Sequence, residues 1–237
     1  MHPPLHIPSE SISAPRDGAA GAFTLVELLT VVAVIAILMA LAVPAVNTML
    51  RGSQLTTSAQ SVSDQLSLAR QTALSTGHSV EVRFYQYGDS NMPGENAQNP
   101  ATGKYRAFQI FEIVDSGAYI PVGKIQHIAQ TVLIDSGTLS SILSGTQAAP
   151  EAPLGTTGAA LTASGTPGAT IPIVGQNYNA VTFRFMPDGS TNFSPASNIW
   201  YLTLHNYSDE DRLTVPPANF VTIQIDSANG HIRTFHP

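Results

Sequence analysis

An α+β fold is predicted: a long N-terminal helix, apolar in its first half and amphipathic in its second, packed on an antiparallel β-sandwich or curled sheet of about seven or eight strands. Three observations predict it. A long apolar run near the N-terminus holds one carboxylate, Glu27. A stripe of apolar residues then continues at helical spacing past that run. After Gly77 the hydrophobic period drops from 3.6 to 2.

The apolar run comes first. From Leu28 to Val43 no residue is charged, and Phe23 to Val26 is apolar apart from Thr24. At 1.5 Å rise per residue, 23–46 is long enough to span a bilayer as a helix. Glu27 inside it costs about 2.5–3.5 kcal/mol at mid-bilayer on insertion scales, so a charge kept there is expected to have a partner. Three readings of the run stand side by side: a plain anchor, a secretory signal cut near Val43-Pro44-Ala45, and a prepilin-type segment cut ahead of the run. Glu27 is poorly placed for a signal's apolar region. Arg16, opposed by Asp17, makes a weak basic flank. The helical pattern also continues beyond Ala45.

That continuation is Leu55, Ala59, Val62, Leu66, Ala69 and Ala73, at alternating steps of four and three. Gln54, Ser58, Ser61, Gln65, Arg70 and Gln71 cover much of the remaining surface, and Gly77 supplies a stop. One helix from about Phe23 to Thr76 is expected, with a kink at Pro44, which removes a backbone hydrogen bond.

Beyond Gly77, Val80, Val82 and Phe84 alternate with Glu81, Arg83 and Tyr85, as in a half-buried strand. Further strands are expected around Tyr105–Val114, over Tyr119–Ile128 and Thr131–Ile134, at Val181–Phe185 before the turn Pro187-Asp188-Gly189, and at Trp200–Leu204. Phe220–Ile225 and His231–Phe235 flank Ala228-Asn229-Gly230 as a hairpin. The stretch 144–179, rich in Gly, Ala, Thr and Pro, is read as a flexible surface insertion.

Composition narrows the function. The chain has 237 residues, a net charge of −6 and 11% charged residues, against the basic stripe of a nucleic-acid binder. It has no cysteine, which excludes disulfides, thiolate metal sites and a Cys nucleophile. No two of the seven histidines lie at i,i+4 around a Glu, and no Gly-x-Ser-x-Gly elbow or phosphate loop is present. No catalytic residues, cofactor or metal site are therefore assigned, and the chain is not expected to be an enzyme. The acidic run Asp209-Glu210-Asp211 has the oxygen density of a calcium loop, but its spacing is not that of an EF-hand and a solvated turn is expected.

Phe23-Thr24-Leu25-Val26-Glu27-Leu28-Leu29 resembles the processing and assembly signature of type IV pilin-like proteins, among them the pseudopilins of type II secretion. Leu66–Leu74, Phe183–Gly189 and the closing segment through Arg233 are similar to the H-type minor pseudopilins and FimT-type minor pilins, with the D-type proteins of Verru_Chthon cassettes as cousins. The resemblance implies a leader over 1–22, a prepilin peptidase cutting between Ala22 and Phe23, and N-methylation of Phe23. Family members usually carry Gly where Ala22 stands. It further implies a transmembrane or filament-core helix over 23–46, its amphipathic continuation over 47–77, and a globular β domain over 78–237. Glu27 matches the assembly carboxylate and Pro44 the helix-breaking proline. Expected partners are the peptidase, other pilin-like subunits, an inner-membrane assembly platform and the lipid bilayer, with no nucleic acid. The chain would sit single-pass in the bacterial inner membrane, its domain extracytoplasmic, before entering a pilus or pseudopilus. The alternative from another class is a membrane-anchored β domain that acts as a binding or adhesion module without filament assembly.

Overall fold

A computed structural model describes residues 24–97, 99–144, 178–194 and 200–237, without the side chains of 41–48 and 100. The chain falls into two units, Met1–Val46 and Asn47–Pro237. Helix α1, Leu25–Thr76, is 52 residues long and contributes to both. Most of the 144–179 stretch lies outside the described residues.

In the second unit, Leu55, Ala59, Val62, Leu66, Ala69 and Ala73 of α1 are each at most 1% exposed and belong to the main core. The helix ends where Gly77, at φ 71°, donates its N–H to the Ala73 carbonyl at 3.1 Å. A side chain resists that left-handed conformation, so the sequence places glycine there.

The sheet is built from β1 (Ser79–Tyr87), β2 (Lys104–Ile113), β3 (Tyr119–Pro121), β4 (Gln126–His127), β5 (Val132–Ile134), β6 (Asn179–Phe185), β7 (Trp200–Asn206), β8 (Phe220–Ile225) and β9 (Ile232–Phe235). A short helix, α2 (Ser141–Ser144), follows β5. The strands form one open sheet in the order β6-β1-β2-β5-β7-β8-β9, with β3 and β4 also paired to β2. Every pairing is antiparallel. Of the sandwich or curled sheet expected, the structure has the single sheet: the buried stripe of α1 joins its inner face in one core, and no second sheet is needed. The strand number is corrected to nine among the described residues, because Pro121 and Gly123 divide the span read as one strand over Tyr119–Ile128.

Val80, Val82 and Phe84 of β1 meet the helix stripe in the core, with Phe108, Phe183, Leu202, Leu204, Ile223 and Ile225. Aromatic contacts run from Phe84 through Phe183 and Phe193 to Trp200, whose ring stacks on Phe193 with centroids 4.3 Å apart. The other face of β1 departs from the half-buried expectation. Glu81 and Tyr85 are also buried, Tyr85 in a second apolar cluster with Tyr87, Ala107, Tyr178 and Ala180.

The β8–β9 hairpin closes with Gly230 N–H on the Asp226 carbonyl at 2.8 Å. Gly230 alone in this turn takes a positive φ, 64°, and a Cβ there would lie 2.3 Å from the Gly189 carbonyl oxygen. Arg70 of α1 donates from Nε to the Asn229 carbonyl at 2.8 Å, fastening the hairpin turn to the helix.

Candidate functional site

The carboxylate singled out by the sequence stands in the first turn of α1. Thr24 caps the helix: its Oγ1 accepts the Glu27 N–H at 3.2 Å, and its carbonyl accepts those of Glu27 at 3.1 Å and Leu28 at 3.2 Å. Glu27 is therefore the third helical residue, where the positive end of the helix dipole favours a carboxylate by about 0.3–1 kcal/mol. Sequence reasoning passed over this cap, although Thr24-Leu25-Val26-Glu27 has the spacing of a capping box.

Around and beyond Glu27 the helix surface is apolar on every side, with Thr30 the one exposed polar residue as far as Met39. Leu25, Val26, Leu28, Leu29, Val31 and Val32 are exposed, as are Val34, Ile35, Ile37, Leu38 and Met39. A helix apolar all round is stable only when something covers it. Among the described residues no helix is long and apolar enough to cross a membrane. The expected span over 23–46 runs into positions whose side chains are not described. Pro44 lies within α1, which is helical through that position, and its side chain is outside the described set. Ala22 and Phe23 lie outside the described residues.

In the second unit the structure assembles polar groups the sequence did not connect. Glu81 accepts Arg83 Nε at 2.6 Å and Arg184 Nε at 3.0 Å. Glu95 accepts hydrogen bonds from Arg106 and from Tyr207 Oη, and its other oxygen accepts the Asp89 N–H at 2.9 Å. His205 and Asp135 are both fully buried, with Nε2 3.4 Å from Oδ2. The other ring nitrogen of His205 faces the Asn206 carbonyl at 3.1 Å, so neither nitrogen is left to activate a nucleophile. Ser140 Oγ is occupied by the Thr203 N–H at 2.9 Å. These groups tie loops to strands.

The acidic run departs from the expected solvated turn at Asp211. Its carboxylate is buried and accepts Ser136 N–H at 2.8 Å, Ser136 Oγ at 2.7 Å and Lys104 Nζ at 3.1 Å. Burial opposes its ionisation, but the Ser136 hydrogen bonds and the Lys104 charge outweigh burial and hold the carboxyl below its ordinary range. Among the described residues no group of three or more His, Asp or Glu side chains is placed to hold a metal ion.

His78 follows the glycine that ends α1. Its Nδ1 lies 2.7 Å from Glu112 Oε1 and its Nε2 3.5 Å from Asp115 Oδ1. The Glu112 hydrogen bond raises its pKa against the opposing effect of desolvation, with Asp115 adding to the rise. A histidine raised on folding stabilises the fold fully below its unfolded value near 6.5, and loses that contribution as pH climbs through the raised folded value. Amide exchange at the helix–strand junction, measured at His78 and Val80, is accordingly expected to quicken between about pH 6 and 8 beyond the intrinsic base-catalysed rise. Glu112→Gln is expected to flatten most of that excess. An unchanged excess in Glu112→Gln would remove the clamp from the account.

No family model and no curated protein matches the chain. Among solved structures the chain is similar to the minor pseudopilin EpsH from the type 2 secretion system of Vibrio cholerae. The two are 11% identical, and the match covers 78% of this chain and 98% of that one at a TM-score of 0.39. A likeness at that score decides neither fold nor function.

Proposed function

We propose that this chain is a structural, non-enzymatic subunit of a pilin-like filament of the type II secretion or type IV pilus kind, in a minor position. A prepilin peptidase releases Phe23 from Ala22 and methylates its amine. The apolar helix first holds the chain in the inner membrane and then enters the filament core. The β domain remains extracytoplasmic. The observation that carries this reading is the division of labour within α1. Its second half spends an apolar stripe on the core of the β domain, while its first half presents apolar side chains all round with Glu27 near the tip. A helix built only to complete the domain has no use for that first half.

Glu27 has two supports in this reading. At the third helical position it complements the helix dipole. The amine freed ahead of Phe23, on the same or a neighbouring subunit, supplies a full opposite charge in a low-dielectric core. Magnitudes separate them. Losing the dipole contribution costs about 0.3–1 kcal/mol, less than about sixfold in any equilibrium. Leaving a buried amine uncompensated costs about 3–5 kcal/mol, well over a hundredfold. Glu27→Ala is therefore expected to insert in membranes normally while recruitment into filaments, measured by pull-down with pilin-like subunits, falls at least tenfold. Unchanged recruitment rejects the pairing. Mass determination on the membrane-extracted protein is expected to find methylated Phe23 at the N-terminus; Met1 or Val46 there counts against the whole reading. A chain that is processed yet monomeric in the membrane, with no pilin-like neighbours on cross-linking, favours the tethered binding module.

A further inference from the structure

The two outer strands of the sheet are finished differently. On β6, Arg184 has its outward N–H bonded to Asn192 Oδ1 at 2.8 Å and its carbonyl bonded to the Asn192 N–H at 3.0 Å. That edge is capped by the returning chain. On β9, pairing is to β8 alone, and among the described residues nothing bonds to its other flank.

The register shows which groups face outward. Asp226 donates its N–H to the His231 carbonyl at 3.0 Å, and the ladder then pairs Ile225 with Ile232, Gln224 with Arg233, Ile223 with Thr234 and Thr222 with Phe235. Hydrogen-bonded and non-hydrogen-bonded pairs alternate along an antiparallel ladder. Counted from Asp226–His231, the backbone groups of Ile232 and Thr234 point away from β8, to the open side. Unprotected edges of this kind pair with added strands.

The side chains say what kind of strand fits. A cleft of about 200 Å³ lies on the solvent face, lined by Gln224, Asp226, His231 and Arg233. Asp226 is committed to its own turn, accepting the Ala228 N–H at 2.9 Å and Asn229 Nδ2 at 3.2 Å. Arg233 is exposed, and its guanidinium makes no ion pair or hydrogen bond among the described residues. Phe235, two residues on and so on the same face, is 48% exposed. An exposed Arg without an ion-pair partner among the described residues does not serve general solubility on a chain of net charge −6. Nor does it suit a second copy in the register centred on Arg233, where antiparallel pairing of two β9 strands would set the two guanidinium groups opposite each other.

We propose that the outer edge of β9 is a strand-addition site for an extended acidic segment of a partner protein, with a carboxylate opposite Arg233 and an apolar side chain opposite Phe235. The added strand takes up the outward N–H and C=O groups of Ile232 and Thr234. Its carboxylate enters the cleft beside Arg233. This site is independent of filament entry through α1.

The test uses the full-length chain in detergent and a fluorescein-labelled synthetic peptide of Glu-Thr-Val-Thr repeats, which sets Glu and Val in turn along one face, with a Lys-for-Glu peptide as its counterpart, read by fluorescence anisotropy. The acidic peptide is expected to bind about tenfold or more tightly than the lysine peptide, the size of one charge-assisted contact. Thr234→Pro removes an outward N–H, which an edge strand tolerates, and is expected to weaken the acidic peptide about tenfold. Arg233→Glu changes an exposed side chain, leaves the fold intact and is expected to reverse the preference between the two peptides. It keeps the test decisive should Thr234→Pro fail to fold. Equal binding of the two peptides, binding of neither, or an unaltered preference in Arg233→Glu overturns the proposal. So does a single-stranded oligonucleotide that displaces the peptide and binds Thr234→Pro undiminished, which would assign the edge to phosphates.

Discussion

Leu66→Ala is expected to cost the folded chain about 2–5 kcal/mol, the range for truncating a fully buried leucine. Stabilities of single domains are about 5–15 kcal/mol, so this one change removes a large share. Leu66 is fully buried in the main core, beside Val62 and Ala69 on the stripe of α1. Two residues on, Leu68 is 39% exposed. Leu68→Ala deletes the same atoms and is expected to change stability by no more than about 0.5 kcal/mol. Both variants are measured by urea unfolding in detergent, with the single tryptophan, Trp200, as reporter; its side chain is 2% exposed and sits in the same core. Equal losses in the two would mean that helix composition, and not seating of the stripe on the sheet, sets the stability. The small residues Ala59, Ala69 and Ala73 on the stripe serve the same seating, since larger side chains there would hold helix and sheet apart.

The pair Leu66 and Leu68 also illustrates what was legible in the sequence. The stripe was readable because its period of 3.6 separates one leucine from the other without any structure. The inner face of β1 was readable in the same way from Val80, Val82 and Phe84. Its outer face was not. Glu81, Arg83 and Tyr85 carry polar atoms at alternate positions, a pattern that reads as solvent. They are covered by residues distant in sequence: Arg184, 103 residues on, bonds Glu81, and the Tyr178 ring packs on Tyr85. Asp211 was hidden for the same reason, its partners Ser136 and Lys104 standing 75 and 107 residues back. At the candidate site, Glu27 stood out as a carboxylate in an apolar run. The Thr24 cap is equally present in the sequence as the spacing Thr24-Leu25-Val26-Glu27, but an apolar run on both sides of it gives no composition break to mark the helix end. Pairwise polar contacts between distant segments have no period, and only the fold brings them together.

Glu81→Ala carries the second large effect, and it tests that outer face directly. The Glu81 side chain is 2% exposed, with one oxygen on Arg83 and the other on Arg184, its partner across the β1–β6 ladder. Removing the carboxylate leaves both cations in place. Arg83 is held over the rings of Phe111 and Tyr119, 4.4 and 4.6 Å from their centroids, and Arg184 still reaches Tyr119 Oη at 3.3 Å. Breaking a buried pair from one side costs about 3–5 kcal/mol. Here the arginine side chains are 17% and 25% exposed, so the lower end, about 3 kcal/mol, is expected. Replacing Glu81 and Arg184 together by leucine removes one charge of each sign and fills the space, so the double variant is expected to lose less than Glu81→Ala alone. Salt distinguishes the cause. A solvent-screened pair loses its value in 1 M NaCl, where the Debye length is about 3 Å, whereas the Glu81→Ala deficit, measured by urea unfolding, is expected to persist. A deficit below about 1 kcal/mol that vanishes in salt would reclassify the cluster as a surface pair, and the outer face of β1 would then have to be held by Tyr85 and its aromatic neighbours alone.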